Sequence, residues 1–167
     1  MSHAQNKVQW CLDKAEKEWK ERGIHRGLLL KKGDRVEAYA HILKAEHFLQ
    51  ASLLLKKDFS DISASTLFYA MYHSLLAIAL KFGYESRNQE CTFALMYMLS
   101  EEGKIRIKKE SLHKIAGLHV EPSEKTSVQI REFYQYGTSL SLEDDLYQEL
   151  FHLAQEVIGE AKEVLEQ

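Results

Sequence analysis

The sequence predicts an all-α fold, an up-and-down bundle of four main helices with an N-terminal helix and short additional helices. Three observations carry this expectation. Proline occurs once, at Pro122, and glycine eight times in 167 residues, so little interrupts helices. Leu, Ala, Glu and Lys dominate, and strand punctuation is scarce. Apolar residues recur at helical spacing through most of the chain. A single domain of this length buries about 70% of the surface its unfolded chain exposes.

The chain divides into an N-terminal helix with its connector, 1–32, and a bundle, 33–167. In the first part, Val8, Cys11, Leu12, Ala15 and Trp19 fall on one side of a short amphipathic helix. "RGIHRGLLLKKGD" follows as a connector punctuated by glycines. A long helix is predicted from about Asp34 to Lys57, with Val36, Ala40, Leu43, Phe48, Ala51, Leu54 and Leu55 as its core stripe. "DFSD" (58–61) supplies a turn and N-cap candidates.

The segment "ISASTLFYAMYHSLLAIALKFG" is apolar nearly all round and is expected to be a central helix covered on every side. Its longest apolar part, 67–82, is broken by His73, Ser74 and Lys81, which argues against a membrane span. "NQECTFALMYML" (88–99) is a third core helix, and "KIRIKKESLHKIAG" a basic stretch leading into a short one. Pro122-Ser123 opens the helix that carries Arg131 and stops at Gly137, read as a left-handed cap. Ser141 and Asp144 make a capping-box spacing ahead of a last helix with Leu146, Leu150, Leu153, Val157, Ala161 and Leu165 inside.

The net charge of −3 argues against a molecule coated in positive potential for sequence-blind nucleic-acid binding. Cys11 and Cys91 match no metal or redox spacing and read as reduced residues of a cytoplasmic protein. The charged N-terminus has no apolar run of the signal-peptide kind. His41/His47 and His113/His119 are each six apart, which turns the second ring about 120° from the first. Without HExxH or Cys-rich spacing, no metal site is expected. Phosphate-cradling glycine loops and a nucleophile elbow are absent from the sequence, so no cofactor is expected.

Two stretches carry a family resemblance. One is "AEHFLQASLLLKKDFSDISASTLFYAMYHSLLAIALKFGYESRNQECTFAL" (45–95), the other "REFYQYG" with the acidic–apolar helix after it (131–166). Together, "FYAMYH", "SRNQECT" and R-x-x-x-Q-Y-G at these separations resemble the HEPN domain family, particularly its prokaryotic and archaeal-type members, over roughly 34–166. The resemblance implies a helical bundle that dimerises, with a functional cleft where the arginine helices of two protomers approach. Many such proteins are metal-independent ribonucleases. Others are inactive relatives, or partners of small nucleotidyltransferases in toxin–antitoxin pairs.

In the nuclease members an arginine stabilises phosphoryl charge and a histidine a few residues on transfers the proton. Here Arg131 matches the arginine and Glu132 its polar neighbour, but Tyr136 stands at the histidine position. A phenol titrates near ~10 and an imidazole near ~6.5, so Tyr136 is a poor base at neutral pH. Gln89 likewise stands where many relatives have histidine. On a helix Arg131 and Gln135 share a face, while Arg131 and Tyr136 lie about 140° apart and flank a groove. Ile130 and Phe133 mark the core side.

The candidate ligand-binding residues are therefore Arg131, Glu132, Gln135, Tyr136 and His73, and the candidate catalytic residues Arg131, Tyr136 and His73. His73 has two readings: an imidazole facing the Arg131 cleft, or a buried neutral ring bonded to a neighbouring helix. Arg131 also has two, an open guanidinium or one paired with a carboxylate inside the bundle. Tyr69 and Tyr72 read as core phenols with a wet end. The basic run Lys104, Arg106, Lys108, Lys109 and Lys114 reads as a solvated face or a phosphate contact. The expected function is a catalytically degenerate homodimer binding RNA, a nucleotide or a partner protein near Arg131. A ribonuclease, or one half of a nucleotidyltransferase toxin–antitoxin pair, is the alternative.

Overall fold

Residues 1–116 and 126–167 are described in the structure, a computed structural model. Seven helices and one short ribbon make up the described residues: α1 (His3–Arg22), β1 (Leu28–Leu30), α2 (Arg35–Leu55), α3 (Ser60–Lys81), β2 (Tyr84–Ser86), α4 (Gln89–Glu101), α5 (Lys109–Ala116), α6 (Ser127–Tyr136) and α7 (Asp144–Glu166). The all-α bundle is what the sequence predicts. Helix α3 is its axis, packed against α2, α7 and α6, while α1 lies on α4.

The N-terminal part is tied to the bundle. Ser2 and Gln5 form a capping box for α1, and Val8, Cys11 and Ala15 are buried beneath it. Trp19, placed in the same stripe by the sequence, is exposed. Cys11 and Cys91 are joined in a disulfide between α1 and α4, their Cα atoms 5.9 Å apart. The expectation of two reduced cysteines is corrected: eighty positions separate them in the chain, and only the docking of α1 brings them together.

The connector contains β1, which pairs antiparallel with β2 in the register Leu28↔Ser86, Leu29↔Glu85 and Leu30↔Tyr84. Gly27 sits against α1, where an added Cβ would meet the Cys11 carbonyl oxygen at 2.6 Å. The backbone here approaches too closely for any side chain.

Helix α2 is turned only partly as predicted: Phe48, Ala51 and Leu55 of the expected stripe are half-buried, with Phe48 packed on the core. Val36, Ala40, Leu43 and Leu54 face solvent, and Ala38, Ile42, Ala45 and Ser52 are buried. The helix carries two apolar rows. The row of smaller residues lets its backbone approach α3 closely and leaves the bulkier row outside. Asp34 caps it, accepting from the Glu37 N–H.

Helix α3 is 22 residues long, the length of the segment read from the sequence, and by length and composition alone, against the expectation drawn from 67–82, is long and apolar enough to cross a membrane. Most of it is buried in the bundle, but not on every side as predicted. Ser65, Thr66, Tyr69, Tyr72, His73 and Leu76 form a half-exposed row along it. Its first turn has no side-chain cap; Ser60 instead accepts from the Leu142 N–H at 2.9 Å and fastens the approach to α7. The expected Ser141 box is likewise not formed, because the helix begins behind Glu143 with no side-chain cap. Leu150, Leu153, Val157, Ala161 and Leu165 of α7 are buried as predicted, Leu146 is half-buried, and Ala154, Ile158, Val164 and Tyr147 join them, the Tyr147 hydroxyl lying 3.3 Å from Ser52 Oγ.

Candidate functional site

Helix α6 positions the arginine motif. Its described start is a Thr126–Gln129 capping box; the predicted opening at Pro122-Ser123 lies outside the described residues, as does His119. Gly137 ends it, but not in the left-handed conformation, since its φ is −82°. The glycine is required for space: a Cβ there would meet the Phe133 carbonyl oxygen at 2.4 Å.

Arg131 is 7% exposed, so its guanidinium does not open into a water-filled recess within this chain. It lies over the Phe68 ring of α3 at 4.8 Å. Nη1 donates to Gln135 Oε1 at 3.1 Å and Nη2 to Glu132 Oε1 at 3.3 Å. The acid that pairs with it therefore comes from its own helix and not from a neighbour. Nε has no partner among the described residues, and neither does the buried Ser127 Oγ one turn earlier. A void of about 30 Å³ beside Ser127, next to Lys114 and Glu149, is large enough for one water.

Four of the candidates thus share one helix, with different surroundings. Glu132 and Gln135 touch Arg131. Tyr136 is 76% exposed and shares no hydrogen bond with it. Phe133, placed on the core side by the sequence, is 52% exposed, whereas Ile130 is buried. The buried side of α6 is Ser127, Ile130 and Arg131, and Phe133, about 160° round the helix from Arg131, falls outside it.

Beside the motif, α3 and α6 enclose a groove of about 280 Å³ lined by Asp61, Ile62, Ser65, Tyr69, Tyr134 and Gln135. Because Gln135 Oε1 accepts from Arg131, the carboxamide is oriented and its NH₂ is left to donate. Burial, with Glu143 nearby, raises the Tyr134 phenol above its ordinary value, so it stays protonated.

His73 does not join this group. Its Nδ1 lies 2.8 Å from Nδ1 of His41 on α2, and its ring stacks on Phe48 with centroids 5.5 Å apart. A direct Nδ1–Nδ1 bond needs one ring to donate and the other to accept, so the neutral pair holds complementary tautomers. Burial, then the charges of His41 and Lys44, bring His73 down to about 4. Burial lowers His41 too, against the pull of Glu37. His41 borders a recess of about 290 Å³ with Lys31, Glu37, Glu85 and Arg87. Burial works to raise the Glu85 carboxyl, but the His25 hydrogen bond, Arg87 and Lys31 hold it below its ordinary value.

The sequence missed the His41–His73 pair and the Phe68 platform. Counting histidines along one helix finds His41 and His47; the real partner is 32 positions away on another helix. Tyr72 reaches Thr92 Oγ1 at 3.2 Å and stacks on Phe68. In the basic run, Lys104 pairs with Glu102, Lys109 with Glu101 and Lys114 with Glu149. Three of the five cations in the run therefore have an acidic neighbour. No cluster of three metal-ligating side chains occurs among the described residues. No family model matches the chain, and no curated protein matches it.

Proposed function

We propose that this chain is a catalytically degenerate HEPN-type bundle that acts as a homodimer and binds RNA or a nucleotide through the groove between α3 and α6. The observation that carries the reading is the Arg131–Gln135 hydrogen bond. The motif's cation is engaged inside the chain, on Phe68, Glu132 and Gln135, where it orients a carboxamide at the edge of a groove.

The lining suits a base more than a phosphate. A carboxamide matches the paired donor and acceptor on an adenine edge, and the Tyr69 and Tyr134 rings offer stacking faces. Asp61 in the same lining repels a phosphate. Ile62 in the lining is exposed, as are Phe133 and Tyr136 on α6 and Phe59 and Leu140 in the segments that flank α3 and α6. Exposed aromatic and aliphatic side chains of this kind anchor interfaces. With the half-exposed row on α3, they supply a surface for a second copy.

Cleavage would require Arg131 to leave Phe68 and an imidazole to reach it. Among the described residues, the hydrogen-bond partner of His73 is His41 instead. A toxin–antitoxin role with a nucleotidyltransferase rests on the family resemblance alone. The test is equilibrium binding of labelled RNA oligonucleotides and adenosine monophosphate to the wild type, Gln135→Ala and Arg131→Met. Gln135→Ala is expected to weaken binding at least tenfold, with single-stranded RNA left intact by all three proteins. Equal binding by wild type and Gln135→Ala, or none by either, overturns the site. Metal-independent cleavage lost in Arg131→Met overturns the degenerate reading.

A further inference from the structure

A second site lies away from α6. Helices α1, α4 and α5 enclose a trough of about 430 Å³, in the size range of small-ligand pockets. It shares no residue with the α3–α6 groove. Glu90, Ala94, Tyr97 and Glu101 fall at i, i+4, i+7 and i+11 and line it along one face of α4. Eleven residues of helix make it about 16 Å long. Ala4 of α1, Ala94 and the Tyr97 ring give it an apolar middle. The ring is fixed, because its hydroxyl lies 2.8 Å from His113 Nδ1 on α5.

Each end carries an ion pair, and the two differ in which partner is sheltered. At the start of α4, Lys7 lies 3.3 Å from Glu90, with side chains 34% and 73% exposed. The cation is the sheltered member there. At the end of α4, Lys109 lies 3.7 Å from Glu101, with side chains 52% and 30% exposed. The anion is the sheltered member there, and the pair is loose. The α4 dipole adds in the same sense, positive beside Lys7 and negative beside Glu101. The more exposed partners, Glu90 and Lys109, can swing into water at little cost, since exposed ion pairs contribute little. What stays is a trough with a cation at one end, an anion at the other and an apolar floor between.

We propose that this trough binds an extended zwitterion the size of a tetrapeptide, its carboxylate on Lys7 and its ammonium on Glu101. Extended peptide spans roughly 3.3–3.6 Å per residue, so about 16 Å takes four to five residues with free ends. The apolar floor receives small uncharged side chains, and the charges fix the direction in which the chain lies. The wall that carries Lys7 is held by the Cys11–Cys91 disulfide, one turn along α1.

Calorimetric titration of the full chain with tetra-alanine tests this, using the peptide with free ends, with an acetylated amine, and with an amidated carboxylate. The free-ended peptide is expected to bind at least tenfold more tightly than either capped form. Lys7→Met should remove the preference for a free carboxylate alone, and Glu101→Gln the preference for a free amine alone. Both side chains are about one-third exposed, and circular dichroism checks that both variants keep their helices. Absence of binding at millimolar tetra-alanine overturns the proposal. Equal affinity for all three peptides, or variants that remove the opposite preference, overturns it as well.

Discussion

The guanidinium of Arg131 rests on the face of the Phe68 ring, 4.8 Å from its centroid, in a site that is almost closed to water. Cation and ring are 63 positions apart in the chain. Their contact is what turns a motif arginine into a packing element.

The first prediction follows from that contact. Arg131→Ala removes the stem, the cation–π contact and the support of Gln135 together, and is expected to cost about 2–3 kcal/mol. Arg131→Met keeps most of the volume and removes the orphaned Nε, so a cost of about 1 kcal/mol or less is expected. Guanidinium unfolding midpoints separate the two. If alanine and methionine are equally harmless, the guanidinium is not bearing on the fold.

The disulfide gives the second. Cys11 and Cys91 close a loop across half the chain and are both buried. Such cross-links contribute typically 2–4 kcal/mol, mainly by restricting the unfolded chain. Reductant should therefore lower the unfolding midpoint of the wild type, and leave Cys11→Ala/Cys91→Ala unchanged at the lower value. Equal midpoints with and without reductant in the wild type would refute the cross-link.

These two sites show what the residue pattern could and could not disclose. Helical periodicity placed α2, α3, α4 and α7 within a few residues of their observed ends, because local spacing carries that information. It could not choose between the two apolar rows of α2, since Ala38–Ile42–Ala45 and Val36–Ala40–Leu43 have the same period. The choice depends on how close α3 comes. Gln135 beside Arg131 was legible, being one helical turn away. Phe68 under Arg131, His41 against His73 and Cys11 against Cys91 join residues far apart in the chain, and spacing along one helix is silent about all three.

The third prediction concerns the exposed aromatic residues of α6. Phe133 and Tyr136 are 52% and 76% exposed, and Phe133 meets the Tyr134 ring edge-on. Phe133→Ser with Tyr136→Ser should convert a dimer to a monomer in sedimentation velocity. Stability of the folded monomer should change by only about 0.5 kcal/mol, as for other surface substitutions. A wild type that sediments as a monomer at the same concentration would leave the groove without a facing copy.

The last prediction is a pH dependence with a definite sign. In the folded chain His73 is brought down to about 4 by burial and by its neighbours His41 and Lys44, with Phe48 stacked on it. His41 is lowered as well, although Glu37 faces it and opposes the shift. Unfolded imidazoles titrate near ~6.5. Between those values the unfolded chain binds more protons than the folded one. The pair's contribution to stability is therefore complete above about pH 6.5 and is lost as the pH falls toward 4. Solvent reaches the half-exposed rings, so the loss is on the order of 1 kcal/mol. His73→Phe keeps a ring against Phe48 and cannot take up the proton. Unfolding free energies measured from pH 7 to pH 4 should fall less steeply for this variant than for the wild type. Parallel curves would mean that protonation of the imidazole pair is not linked to folding.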